Sequence, residues 1–306
     1  MNTIKVKSPA TLSNLCCGFD ILGMALQEPF DTIELIKTAE PGIRIRHTDH
    51  YGLPLDASLN IAGKALQAFM EGLHYQEGFD MVIHKNIKPG SGIGSSAASA
   101  AGIVVAANEL VGRPFNNKEL IAFAMEGEMI ASGSRHADNL APCIYGGLVL
   151  IRDTASFDII ELEMPPIFVT VVHPQIEIKT SYAREILPKE IPLKKAVTQW
   201  ANVAGLVAGF LRNDYSLISR SLEDVIVEPV RSKLIPGFNE VKSAAKNAGA
   251  LGGGISGSGP SLFMLSQDES TARDVESAMK EIYTTLGIEF KTYVTSAGKG
   301  VEVILY

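Results

Sequence analysis

Cysteine is scarce in this chain. Among 306 residues only Cys16, Cys17 and Cys143 are cysteines, they form no C-x-x-C pair, and neighbouring thiols at 16 and 17 are awkward partners for an ordinary disulfide. This argues against a disulfide scaffold and against structural zinc, and a reducing, cytoplasmic setting is expected. Long apolar runs are missing as well. No stretch of about 18 strongly apolar residues occurs, and Lys5 and Lys7 precede no long apolar core, so neither a membrane span nor a signal peptide is expected. There is no basic surplus either. Lys and Arg number 27 against 34 Asp and Glu, and the net charge of −7 contains no basic run, which argues against a nucleic-acid surface. An anionic ligand would have to be held by local donors. Internal repeats and low-complexity tracts are absent too.

What remains is an ordinary globular composition, 46% apolar and 20% charged, long enough for two domains with proper cores. Its organising stretch is Pro89-Gly90-Ser91-Gly92-Ile93-Gly94-Ser95-Ser96-Ala97-Ala98. A short strand, Met81 to Ile87, precedes it, and a small-residue helix pattern ending near Gly112 follows. Strand, glycine loop, helix is an order that places unpaired backbone N–H groups where an anion such as phosphate is stabilised. A Walker A loop would need Lys after its last glycine, and Gly94 is followed by Ser95 and Ser96. The alternating glycines also miss the G-x-G-x-x-G spacing, and neither Ser95, Ser96, Ser256 nor Ser258 has the flanking glycines of a nucleophile elbow. Taken alone, the cluster reads more readily as a structural turn.

In chain order, Ile4 to Lys7 reads as a strand, and the polar Asn14 and Asp20 beyond it lie among apolar neighbours, so their burial would require partners. Asp31 to Lys37 and Ile43 to Arg46 read as strands of an antiparallel sheet. Ser58 to Glu71 has helical spacing with Ser58 as its cap and Asn60 in the first turn, and Asn117 to Ala131 is a further helix with Glu126 and Glu128 near its end. The segment Ser132 to Pro142 crowds Arg135, His136, Asp138 and Asn139 between glycine and proline, a pattern of a site loop rather than a packed element. A domain boundary falls where the sequence turns polar between Arg152 and Pro166, giving domains of residues 1–164 and 165–306. Helices follow near Leu193 to Arg212, Tyr215 to Glu223 and Asn239 to Ala248. Arg184 and Arg231 are each embedded in apolar sequence. Two guanidinium groups converging on one anion would suit a carboxylate. A second glycine loop, Gly252 to Pro260, enters the apolar strand Ser261 to Leu265; a helix over Glu269 to Leu286 and strands at Glu289 to Thr295 and Val301 to Leu305 end the chain. No βαβ rhythm repeats, so α+β is the expected class.

Pro89 to Ala98 resembles the phosphate loop of the GHMP small-molecule kinases, P-x-x-x-G-[LI]-G-S-S-A-A, and Gly252 to Pro260 resembles their C-terminal glycine motif. Pro9 to Leu26 and His136 to Gly147 resemble the branch of that family that phosphorylates an amino-acid alcohol. Leu12-Ser13 and Cys16-Cys17 depart from the more usual Ser-Ala and Gly-Pro, which puts the local packing there in doubt. The resemblance implies two α+β domains, an N-terminal one with a left-handed βαβ unit and a ferredoxin-like C-terminal one. It also implies transfer of the γ-phosphoryl group of ATP to the side-chain hydroxyl of L-homoserine, with Mg²⁺. By the same match Pro89, Gly90, Ser91, Gly92, Ile93, Gly94, Ser95 and Ser96 cradle the nucleotide phosphates, Asn60 and Lys88 meet the adenosine, and Ser96 with Glu128 holds the metal. Arg184 and Arg231 would take the substrate carboxylate, Asp20 its ammonium, and Asn14 with Asn139 its hydroxyl, with Thr180 and His136 in support. Several relatives carry an aspartate base where Asn139 stands, which leaves Asp138 as the rival base. A mevalonate- or sugar-type kinase and a non-catalytic nucleotide sensor stay open as alternatives, as does the oligomeric state, with a homodimer among the options.

Overall fold

The computed structural model describes residues 2–305; Met1 and Tyr306, the ends of the two expected domains, lie outside them. Strand β1 (Thr3–Ser13) pairs antiparallel with β2 (Leu22–Thr38), whose outer half alternates inward Asp31, Ile33 and Leu35 with half-buried neighbours, the period-2 pattern of a sheet with one covered face. Strand β3 (Gly42–His47) does not join that antiparallel run. It is followed by helix α1 (Ile61–Leu73) and then β4 (Gly78–His84), and β3 pairs parallel with β4 while β4 pairs antiparallel with β2. The expectation of an antiparallel β3 fails because a helix crossover lets the chain return in the same direction, which a hairpin cannot do.

Helix α1 begins two residues later than the spacing suggested. Asp56 captures both the backbone N–H and the hydroxyl of Ser58, so Asn60 becomes the cap, its Oδ1 accepting the Gly63 N–H at 3.1 Å. Helix α2 (Ser95–Leu110) is buried on nearly every side. Its alanine-rich surface lets the inner face of the sheet, α1 and α3 (Asn117–Ser132) approach closely, and Ile33, Met81, Phe69, Ile103, Ile121 and Met125 share one core. After α4 (Leu140–Tyr145), which makes the last residues of the expected site loop helical, β5 (Leu148–Asp153) and β6 (Asp158–Leu162) extend the first sheet.

Between Leu162 and Phe168 the chain crosses to a second sheet. Strand β7 (Phe168–Pro174), helices α5 (Thr180–Glu185), α6 (Leu193–Leu211), α7 (Tyr215–Ser221), α8 (Glu228–Arg231) and α9 (Phe238–Asn247), strands β8 (Gly252–Ile255) and β9 (Leu262–Ser266), helix α10 (Glu269–Thr285) and β10 (Phe290–Ser296) follow in order. The sheet order β10-β7-β9-β8, antiparallel throughout, is the ferredoxin-like arrangement. The first four residues of the expected second glycine loop are therefore strand, and the loop is confined to residues 256–261. Strand β11 (Glu302–Leu305) returns to pair with β1. A common core of Leu12, Leu22, Met24, Val169, Phe210 and Phe263 joins the two sheets, so the seam between them is a fixed surface. Among the described residues no helix is long and apolar enough to cross a membrane.

Candidate active site

A cavity of about 350 Å³ opens along this seam, of a size ordinary for small-molecule sites. One wall is the phosphate loop. Gly90, Gly92 and Gly94 adopt φ of 73°, 84° and 72°, so left-handed residues alternate with ordinary ones and successive N–H groups turn to a common side, a concavity suited to an anion. Gly94 is the N-cap of α2 and offers no side-chain cap, which leaves the first-turn amides to a ligand. At two of these positions space also requires glycine. A Cβ on Gly92 would lie 2.6 Å from the Gly259 carbonyl oxygen, and one on Gly94 would lie 2.0 Å from Thr11 Oγ1.

The second glycine motif holds the first in place. Ser256 Oγ donates to the Gly92 carbonyl at 2.8 Å, and Ser261 donates to the Ser91 carbonyl through both Oγ (2.6 Å) and its backbone N–H (3.3 Å). The Ser91 and Gly92 carbonyls are thus occupied by protein donors, and within the loop the Ser91 N–H turns back to the Lys88 carbonyl at 3.2 Å. Behind the loop, Asp31 and Lys85 form a buried pair. The lysine Nζ donates to Asp31 Oδ2 (2.5 Å), the Ser95 carbonyl (2.7 Å) and Ser99 Oγ (2.8 Å), while Asp31 Oδ1 accepts the Asn86 and Ile87 amides. This network ties the exit of β4 to the first turn of α2.

The opposite wall carries charge. Asp20 receives a bidentate ion pair from Arg184 at 2.8 and 2.9 Å, which pushes the arginine's pKa up and fixes the guanidinium plane. Arg231, 3% exposed, donates Nε to the Ala183 carbonyl (2.9 Å) and Nη1 to the Gly257 carbonyl (2.8 Å). Burial, then the neighbouring charge of Arg184, brings its pKa down to about 10. Thr180 Oγ1 lies 3.3 Å from Ser258 Oγ at the rim.

Asn14 and Asp20 come from a strained turn. Asn14, Leu15, Cys16 and Asp20 all have positive φ, and the turn is closed by Asn14 N–H to the Leu22 carbonyl (2.8 Å), Asn14 Nδ2 to the Gly257 carbonyl (3.0 Å) and the Asp20 N–H to Asn14 Oδ1 (3.1 Å). Cys16, at φ 69°, stands in a conformation glycine adopts freely; it and Cys17 are buried, and desolvation raises both thiols, Cys17 to about 12. The departure from Gly-Pro is accommodated as core packing.

Between the walls stand the groups suited to chemistry. Ser96 Oγ donates to Glu128 Oε1 at 2.9 Å, and burial raises the Glu128 carboxyl to about 7 against partial relief from His136 and Ser96. His136 Nδ1 is 3.5 Å from Asp138 Oδ1. Burial alone would depress that imidazole, but Asp138 outweighs it, with Glu128 adding to the effect, and the pKa is raised. Asn139 Oδ1 accepts from Thr11 Oγ1 at 2.7 Å, directly beneath Gly94. Ser96 and Glu128 place two hard oxygen donors in the cavity beside the start of α2, a pair whose chemistry would suit a magnesium ion. Among the described residues no three His, Cys, Asp or Glu side chains gather to hold a metal unaided.

Of the residues singled out in the sequence, Asn14, Asp20, Asn60, His136, Asp138, Asn139, Thr180, Arg184 and Arg231 all line this one cavity, with Pro89 to Gly92, Gly94 to Ser96, and Glu128. Two do not. Ile93 is 1% exposed in the core and contributes only backbone, and Lys88 turns to Gln175, its Nζ 2.8 Å from Oε1. Glu126 faces Arg135 at the surface, so Glu128 is the inward member of that pair. Sequence reasoning missed Lys85, Asp31, Thr11, Phe19 and the clamping serines. Asp31 had a signal: it shares the parity of Ile33 and Leu35 on one strand, which buries a carboxylate and requires a partner.

Comparison with known proteins shows the family of the chain. Residues 60–147 match the GHMP kinases N terminal domain and residues 206–285 the GHMP kinases C terminal domain. The chain is 46% identical to the homoserine kinase of Chlorobium phaeobacteroides, with 92% of each chain covered, and 41% identical to that of the archaeon Methanocella arvoryzae, with 99% and 98% covered. The crystal structure of homoserine kinase from Cytophaga hutchinsonii superposes with a TM-score of 0.96 at 47% identity, covering 99% of this chain and 98% of that one. Holding both halves of the domain pair and near-complete alignment at this identity, the chain belongs to the GHMP kinases and, within them, to the homoserine kinases.

Proposed function

We propose that this chain transfers the γ-phosphoryl group of ATP to the side-chain hydroxyl of L-homoserine, giving O-phospho-L-homoserine and ADP on the way to threonine. The observation that carries this reading is that one cavity joins an amide nest at the start of α2 to the Asp20, Arg184 and Arg231 constellation across the seam. A triphosphate suits the first end. A small zwitterion suits the second, its ammonium sharing Asp20 and its carboxylate facing the two guanidinium groups. Neither mevalonate nor a sugar carries such paired charges.

In this reading the amides from Gly90 to Ser96 hold the phosphates and Asn60 stands on the nucleoside side, where its Nδ2 also bonds the Pro54 carbonyl at 2.7 Å. Lys88 would reach the adenosine only by leaving Gln175. Ser96 and Glu128 would hold Mg²⁺, which when bound supplies charge neutralisation on the phosphates. Asn139, its Oδ1 occupied by Thr11, offers Nδ2 to the acceptor hydroxyl or a transferring oxygen and cannot take a proton. Asn14 spends both ends of its amide on the turn, so it orients Asp20 as much as it meets substrate. Asp138 is engaged with His136, and a loose transition state asks little early deprotonation of the hydroxyl, so positioning and electrostatics supply most of the catalysis, with the proton leaving late.

The test is ADP release measured with L-homoserine, L-serine and mevalonate. Efficient turnover of homoserine, with the other two slower by orders of magnitude, is the expected result. Preference for mevalonate, or no turnover with any amino acid, overturns the reading.

A further inference from the structure

The cavity wall holds one aromatic ring with no role in the reading above. Phe19, adjacent to Asp20 in the strained turn, lines the cavity with the guanidinium carbon of Arg184 5.3 Å and that of Arg231 5.1 Å from its ring centroid. Both distances lie within the range of cation–π attraction, where the negative face of the ring favours a cation. Two arginines side by side repel, and that repulsion is strongest where Arg231 is buried. Asp20 gives both of its direct hydrogen bonds to Arg184, and its charge, with those of Asp138 and Asp224, reaches Arg231 only through space. Arg231 bonds otherwise to neutral carbonyls, of Ala183 and Gly257, and the Ala183 carbonyl lies on the same short helix that carries Arg184.

We propose that Phe19 is a positioning residue for substrate selection, its ring holding the Arg184 and Arg231 guanidinium groups together so that both can face one carboxylate. The inference rests on the homoserine reading and adds to it the element that keeps a doubly cationic clamp assembled before substrate arrives. Without the ring face, Arg184 keeps its ion pair with Asp20 while Arg231 keeps only its carbonyl bonds and more distant carboxylates, and the pair spreads. The consequence falls first on recognition of the carboxylate, and the Ser256 and Ser261 bonds that hold the phosphate loop stay in place.

The experiment compares wild type, Phe19→Leu, and the chain carrying 3,4,5-trifluorophenylalanine at position 19, which keeps the shape of the ring while nearly cancelling the charge of its face. Two acceptors are used, L-homoserine and 3-amino-1-propanol, its analogue without the carboxylate. Two lost cation–π contacts are expected to raise the KM for homoserine about 5- to 30-fold in Phe19→Leu, with kcat and the KM for ATP within about threefold of wild type. The trifluoro chain is expected to follow the leucine variant, and kcat/KM for 3-amino-1-propanol to stay level in all three. If the trifluoro chain retains the wild-type KM, or if the analogue loses as much as homoserine, the ring is only packing and the proposal is wrong. Should Phe19→Leu fail to fold, the isosteric trifluoro chain decides alone. Wild-type turnover of homoserine is measured first, so loss of the main reading is seen separately.

Discussion

Glu128 is raised from an ordinary 4.5 to about 7, chiefly by burial, and this makes folding itself report on the end of the cavity proposed to hold the metal. Between those two values the unfolded chain has released the proton while the folded chain keeps it. The folded state then binds more protons, so stability falls as pH rises, and the loss is complete once pH passes the folded value. A displacement of that size corresponds to about 3 kcal/mol at a fully buried carboxyl. Glu128→Gln keeps an oxygen for Ser96 and removes the titration. The wild type should therefore lose up to about 3 kcal/mol relative to the variant between roughly pH 5 and pH 8, read as the change in the difference of their urea midpoints. Because a cation competes with the proton for the ionised carboxylate, Mg²⁺ with ADP should protect the wild type more at the higher pH, and Glu128→Gln less at either. Parallel stability curves for the two proteins across this range would refute the assignment of a buried, cation-ready carboxylate.

Gly92→Ala places a methyl against the Gly259 and Ser256 carbonyls and adds a Cβ at φ 84°, so the KM for ATP should rise more than about tenfold while circular dichroism stays native. Asp138→Asn should lower kcat by no more than about tenfold if no base operates, since general-base catalysis is worth about 10²–10⁴; a steady-state loss within that larger range would assign the base to Asp138. Lys85→Met strands Asp31, both partners being essentially without solvent, and should cost about 3–5 kcal/mol in a denaturation midpoint series; a loss under about 1 kcal/mol would show that the pair does not support the loop.

Much of the site was legible because phosphate recognition is local. Three alternating glycines, two serines and a small-residue helix are consecutive in the chain, so a place for an anion could be named there, but a structural turn fitted the same residues until the resemblance of the whole motif favoured a phosphate loop. In the second half, periodicity gave the individual strands and helices, while their ferredoxin-like order came only with the resemblance. Local competition misled the reading where it was decided by a single side chain, as when Asp56 took Ser58 and passed the cap to Asn60. The parallel pairing of β3 depended on a partner more than 30 residues away.

By itself, then, the sequence determined the strand-loop-helix order, the α+β class and the inventory of charged groups that a zwitterion needs, because each is set by residue type and short-range order. Only the tertiary structure decided which of those groups meet. It brought Asp20 to Arg184 across 164 residues, set Ser256 and Ser261 on the carbonyls of the phosphate loop, turned Lys88 away toward Gln175, and laid two arginines over Phe19. Such contacts depend on how two sheets share one core, and that packing has no signature at any single position of the chain.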